Sequence, residues 1–128
     1  MVTIKFGTDG WRGIIADDFT FSNVRICAQG VARYIYREGL AEKGLVVGYD
    51  TRFLSKQFAE TVVEILTAND IKSFLATKPT PTPAISFAVL HYNAAGGIVI
   101  TASHNPYMWN GFKYKDAYGG SASSAVIQ

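Results

Sequence analysis

The string Thr101-Ala102-Ser103-His104-Asn105-Pro106, followed by Asn110-Gly111-Phe112-Lys113, holds the residue types and spacing best suited to chemistry. Taken alone, the six-residue string is a surface turn, because Ser, Asn and Pro all favour turns and Asn-Pro initiates them. A serine on an exposed, rigid turn can also store a phosphoryl group. Phosphoserine carries about −1.5 to −2 charges at neutral pH and three strong acceptor oxygens, so it needs cations nearby. Lys113, His104, Arg12 and Arg52 are the available ones, and Lys113 follows Ser103 by ten residues. A hydrolytic serine would instead need a histidine base oriented by a carboxylate, and an oxyanion hole. His104 adjoins Ser103, and adjacent side chains rarely point at each other. His91 falls on an expected helix, and there is no G-x-S-x-G elbow.

Phe6-Gly7-Thr8-Asp9-Gly10-Trp11-Arg12-Gly13 is the second string of interest, with three glycines in seven residues from Gly7. Glycine permits backbone shapes closed to other residues and a close ligand approach. Arg12 reads either as an anion clamp, since a guanidinium holds phosphate through two bonds, or as a solvated turn arginine. Asp50-Thr51-Arg52 is open in the same way: Arg52 could bind ligand, or pair with Asp50 and staple its own loop. Lys113 by itself is an ordinary surface lysine, but on a returning strand it would face the Ser103 edge and could serve as a base. Asp17-Asp18 reads as a polar turn with little to suggest a metal site, and Cys27 and the aromatic residues read as core.

Those loops need a scaffold. The 128 residues are 48% hydrophobic and 17% charged, which fits one globular domain spanning 1–128. No secretory leader is expected, because Gly7 and Asp9 interrupt any early apolar run, and the other apolar runs are too short to span a bilayer. A lone cysteine excludes an internal disulfide and a cysteine metal cluster. The net charge of +2 is spread along the chain, so no nucleic-acid footprint is indicated. No nucleic-acid or membrane partner is expected, and a cytoplasmic location is.

Along the chain, Ile4 to Phe6 is a short apolar start, and the glycine-rich string after it reads as turn. Ser22 is the expected N-cap of a first helix carrying Val24, Cys27, Ala28, Val31 and Ile35 at helical spacing. Gly39 and Gly44 end that helix and its connection. Leu45 to Tyr49 reads as a buried strand, and Ser55 opens a second helix with Phe58, Val62, Ile65 and Leu66 inward. Ile71 to Leu75 is a second strand, and the alternate prolines from Pro79 to Pro83 make a loop that feeds a third helix. Ile98 to Thr101 and Gly111 to Lys115 complete the strands. Alternating strands and helices predict an α/β fold, a three-layer α/β/α sandwich with a mixed, mostly parallel sheet of about four strands. Asp50-Thr51-Arg52, the proline loop and the Ser103 loop would then leave strand ends on one edge, where ligands of open α/β sheets bind.

The three strings together, in this order and over nearly the whole chain, closely resemble the first domain of the α-D-phosphohexomutases, the phosphoglucomutases and phosphomannomutases among them. The resemblance implies that Ser103 is the phosphoryl carrier, that its phosphate ligates Mg²⁺, and that His104 assists beside it. It implies that Lys113 and Arg12 handle proton transfer and charge, and that Arg12, Asn105, Lys113 and Arg52 contact substrate phosphate. The implied reaction interconverts hexose 1-phosphate and hexose 6-phosphate, of glucose or mannose, through a bisphosphorylated sugar. The family's other domains have no counterpart in this sequence, so the chain alone is expected to be inactive as a mutase. A non-catalytic domain that binds phosphosugars or pairs with a partner chain is the alternative.

Overall fold

The computed structural model describes residues 10–17, 19–102 and 108–116. These form β1 (Gly10–Ile14), α1 (Phe21–Arg37), β2 (Leu45–Tyr49), α2 (Ser55–Ala68), β3 (Ser73–Leu75), α3 (Thr82–His91), β4 (Gly96–Ile100) and β5 (Trp109–Lys115), with a short 3-10 turn at Ala41–Lys43. One sheet takes them in the order β1-β5-β4-β2-β3. β2 pairs in parallel with both β3 and β4, whereas β5 is antiparallel to β4 and to β1. Only β5 therefore runs against the other four, and the sheet is mixed but mostly parallel, as expected.

The described residues hold five strands rather than about four. The added strand is β1, which lies in the glycine-rich string read as turn. Its cause is non-local: Gly10 to Ile14 bond along β5, with Trp11 opposite Phe112. Gly10 takes φ 145°, and a side chain there would run into the Phe112 carbonyl. Glycine at this position thus serves close strand approach as much as turning.

Right-handed crossovers decide where the helices go. The chain steps outward from β2 to β3 through α2, then back past β2 to β4 through α3, and the reversal sends α3 to the opposite face. Leu45, Val47, Tyr49, Ile98, Ile100, Phe112 and Tyr114 pack under α1 and α2. Val46 and Val99 pack with Ile85 and Val89 of α3 on the other face. Gly48 lies under α3 because a side chain there would meet Ile85.

Helix ends are mostly where the spacing puts them, with one correction. Thr20, not Ser22, caps α1, its hydroxyl accepting the Asn23 N–H at 3.2 Å. Ser22 already lies inside the first turn, where its backbone is helical, and a cap must sit just outside. Gly39, at φ 70°, ends the helix as expected. β3 begins at Ser73, two residues later than expected, and β4 begins at Gly96, two residues earlier.

Candidate functional site

The polar loops do gather at one edge. The Asp50 N–H donates to the Ile100 carbonyl (3.1 Å), and the Thr80 N–H of the proline loop donates to the Tyr49 carbonyl (2.9 Å). On the far side of the serine loop, the Ile15 N–H donates to the Met108 carbonyl at 2.8 Å. Ser103, His104 and Asn105 lie outside the described residues, but both ends of their loop are placed. Ala102 is buried, and the Thr101 N–H donates to the Gly111 carbonyl at 3.0 Å.

Arg12 and Lys113 fall on one face of the β1–β5 pair. Arg12 stands opposite Gly111 and Gly10 opposite Lys113, so both cations lie on the sheet face away from α1 and α2. Diagonal neighbours on one face of an antiparallel pair are about 7–8 Å apart. Arg12 is exposed on β1, whereas Lys113 is only 5% exposed. Gly111 lets the Arg12 stem lie low between them, because a side chain there would meet the Thr101 carbonyl at 2.5 Å and Arg12 Cγ at 3.0 Å.

Arg52 takes the stapling role. Its Nε lies 3.4 Å from Asp50 Oδ2, its N–H donates to Asp50 Oδ1 (3.0 Å), and its Nη1 donates to the Trp109 carbonyl (2.9 Å). Asp50 Oδ1 also accepts from Ser55 Oγ at 2.7 Å, and Asn110 Nδ2 donates to that hydroxyl at 2.8 Å. Asn110 is fully buried, and its Oδ1 accepts the Gly111 N–H at 2.9 Å. Sequence reasoning missed Ser55 and Asn110 as parts of the site. Ser55 read as a helix start and Asn110 stood just before the strand expected from Gly111, so neither carried a local signal of its distant partner.

His91 is exposed at the far end of α3, stacked on Phe87 at 5.9 Å and edge-on to Tyr92 at 5.1 Å. That end of the helix is opposite the Ser103 edge, so it is no base for a hydrolytic serine. Among the described residues, no group of three or more His, Cys, Asp or Glu side chains converges. None of the described helices is long and apolar enough to cross a membrane.

The family described as phosphoglucomutase/phosphomannomutase, alpha/beta/alpha domain I, matches residues 3–128. The chain belongs to the phosphoglucomutase/phosphomannomutase family. It is 41% identical to a phosphoglucomutase of Staphylococcus epidermidis over 95% of its own length and 23% of that protein's. A Komagataeibacter xylinus phosphoglucomutase is 35% identical over 98% of the chain and 24% of its own length. A crystal structure of a phosphomannomutase-type protein from Thermus thermophilus superposes with a TM-score of 0.92 at 43% identity, covering 98% of this chain and 28% of that one. The chain thus spans about a quarter of the length of the relatives it matches, and it corresponds to the family's domain I.

Proposed function

We propose that this is the phosphoserine-carrying first domain of a phosphohexomutase that interconverts hexose 1-phosphate and hexose 6-phosphate of glucose or mannose. The observation that supports this reading best is the placing of Arg12 and Lys113 on one face beside both ends of the Ser103 loop. In the proposed step, a hexose bisphosphate gives one phosphoryl group to Ser103. The Ser103 Oγ–P bond forms, the sugar O–P bond breaks, and the serine proton passes to the leaving sugar oxygen. Lys113 and His104 move that proton, and Arg12 offsets charge on the transferring group. Asn105, with Arg12 and Lys113, holds the substrate phosphate, while Arg52 staples the neighbouring loop. Mg²⁺, bound through the Ser103 phosphate, would supply further charge neutralisation. The remaining walls of the site would come from the rest of a longer enzyme in the cytoplasm.

Incubating the full-length enzyme that carries this domain with glucose 1,6-bisphosphate and Mg²⁺ tests the reading by mass spectrometry. One phosphoryl group should map to Ser103 and be lost in Ser103→Ala; an unmodified wild-type enzyme would overturn the carrier role. Turnover of glucose 1-phosphate to glucose 6-phosphate by the 128-residue chain should be negligible, and measurable turnover would refute the need for other domains. The second reading, a non-catalytic domain that pairs with a partner, draws on α3, where Phe87 and Leu90, with Tyr92 just past the helix end, are more than half exposed. Phosphate uptake at Ser103 separates the two.

A further inference from the structure

Ser55 and Asn110 form a buried polar strut that joins three elements. From Asn110 the bonds run through Ser55 Oγ to Asp50, from Asp50 to Arg52, and from Arg52 back to the Trp109 carbonyl, one residue before Asn110. The circuit begins and ends on β5 after crossing the start of α2 and the end of β2. Stability alone does not call for it, since apolar groups of the same shape can replace a buried polar pair at little net cost. Its geometry also carries a strain. Leu54 takes φ 63°, a region bulky residues rarely occupy, immediately before Ser55. That turn starts α2 where the Ser55 hydroxyl reaches Asp50 and Asn110 together. Such strain persists only where the surroundings over-determine it.

What the strut fixes is the register of β5 against the parallel half of the sheet. Asn110 holds the Gly111 N–H, and Gly111 carries both the Thr101 bond and the Arg12 stem. Lys113 lies two residues further along the same strand. A slip at Asn110 would therefore move Lys113 and Gly111 together relative to Thr101. Phosphoryl transfer depends chiefly on positioning, and small misplacements are expensive.

We propose that Ser55 and Asn110 are positioning residues for phosphoryl transfer, setting β5 and thereby Lys113 against the strand ends that bear the serine loop. The proposal rests on the carrier reading above. Its test uses the full-length enzyme that carries this domain, as wild type, Ser55→Ala, Asn110→Ala and Ser55→Thr. Single-turnover phosphate uptake from glucose 1,6-bisphosphate with Mg²⁺ is followed across donor concentrations, at a temperature where circular dichroism shows each variant folded. Ser55→Ala and Asn110→Ala should lower the limiting rate by about tenfold or more while the half-saturating concentration stays within about threefold. Ser55→Thr keeps the hydroxyl and should return the rate to within about threefold of wild type. Should Asn110→Ala fail to fold, Ser55→Ala carries the comparison. A folded Ser55→Ala that takes up phosphate at the wild-type limiting rate overturns the positioning role and leaves the carrier reading intact. A wild-type full-length enzyme that takes up no phosphate overturns the carrier reading, and the positioning role with it.

Discussion

Burial leaves Cys27 only 5% exposed and pushes its thiol up from 9.0 to about 12. Loss of water around the thiolate is the cause, so the folded protein favours the neutral form. A group raised on folding contributes stability that is complete below its unfolded pKa. That contribution is lost as pH rises through the folded value, here between 9.0 and about 12. Tyr114 is raised from 10.0 by burial first, then by Tyr34 and Asp116, and acts in the same direction. Iodoacetamide at pH 8 should leave native Cys27 unmodified over a period that labels the urea-unfolded chain fully. Equal labelling rates in the two states would show the thiol to be accessible. At the same scale, the two readings of Arg52 could not be separated from the string Asp50-Thr51-Arg52. Its deciding partner, the Trp109 carbonyl, lies 57 residues away in sequence.

Among elements, α1 was legible because its inward residues recur at helical spacing: Val24, Cys27, Ala28 and Ile35 are all buried. Its start was misplaced by two residues because Thr20 and Ser22 are both good caps, and only backbone geometry chooses between them. Replacing Thr20 with alanine should cost about 1 kcal/mol of stability, read as a lower urea midpoint with an unchanged slope. Ser22→Ala should cost distinctly less, and the reverse order would reinstate Ser22 as the cap. In α3, Ile85 presses on β2 exactly where a side chain is missing. Gly48→Ala would push into Ile85 and should destabilise by about 1–3 kcal/mol through overpacking. A neutral Gly48→Ala, measured the same way, would mean that α3 can lift from the sheet without cost. β1 was the element hidden from sequence reasoning, since its glycines signal turns and its pairing depends on a strand about one hundred residues later.

At the scale of the whole molecule, an aromatic cluster joins the N-terminal part of the chain to its centre. Trp11 stacks on Phe19 at 4.8 Å, Phe19 meets Phe58 edge-on at 4.8 Å, and Phe21 packs on Phe58 at 4.5 Å. Phe58 therefore ties β1, α1 and α2 into one core, and Phe58→Ala should cost about 3–5 kcal/mol on global urea unfolding. A wild-type midpoint for that variant would deny the cluster its place in the cooperative unit. The sequence by itself determined the α/β class, the order of most elements, the gathering of polar loops on one edge and the strings shared with the phosphohexomutases. These follow from periodicity, turn chemistry and topology, all of which are written in neighbouring residues. Only the tertiary structure decided that the glycine-rich string contains a strand, that Arg52 staples its loop and that Asn110 bonds Ser55 across 55 residues. Each of those outcomes depends on a partner distant in the chain, brought within hydrogen-bonding reach by packing that no local pattern encodes.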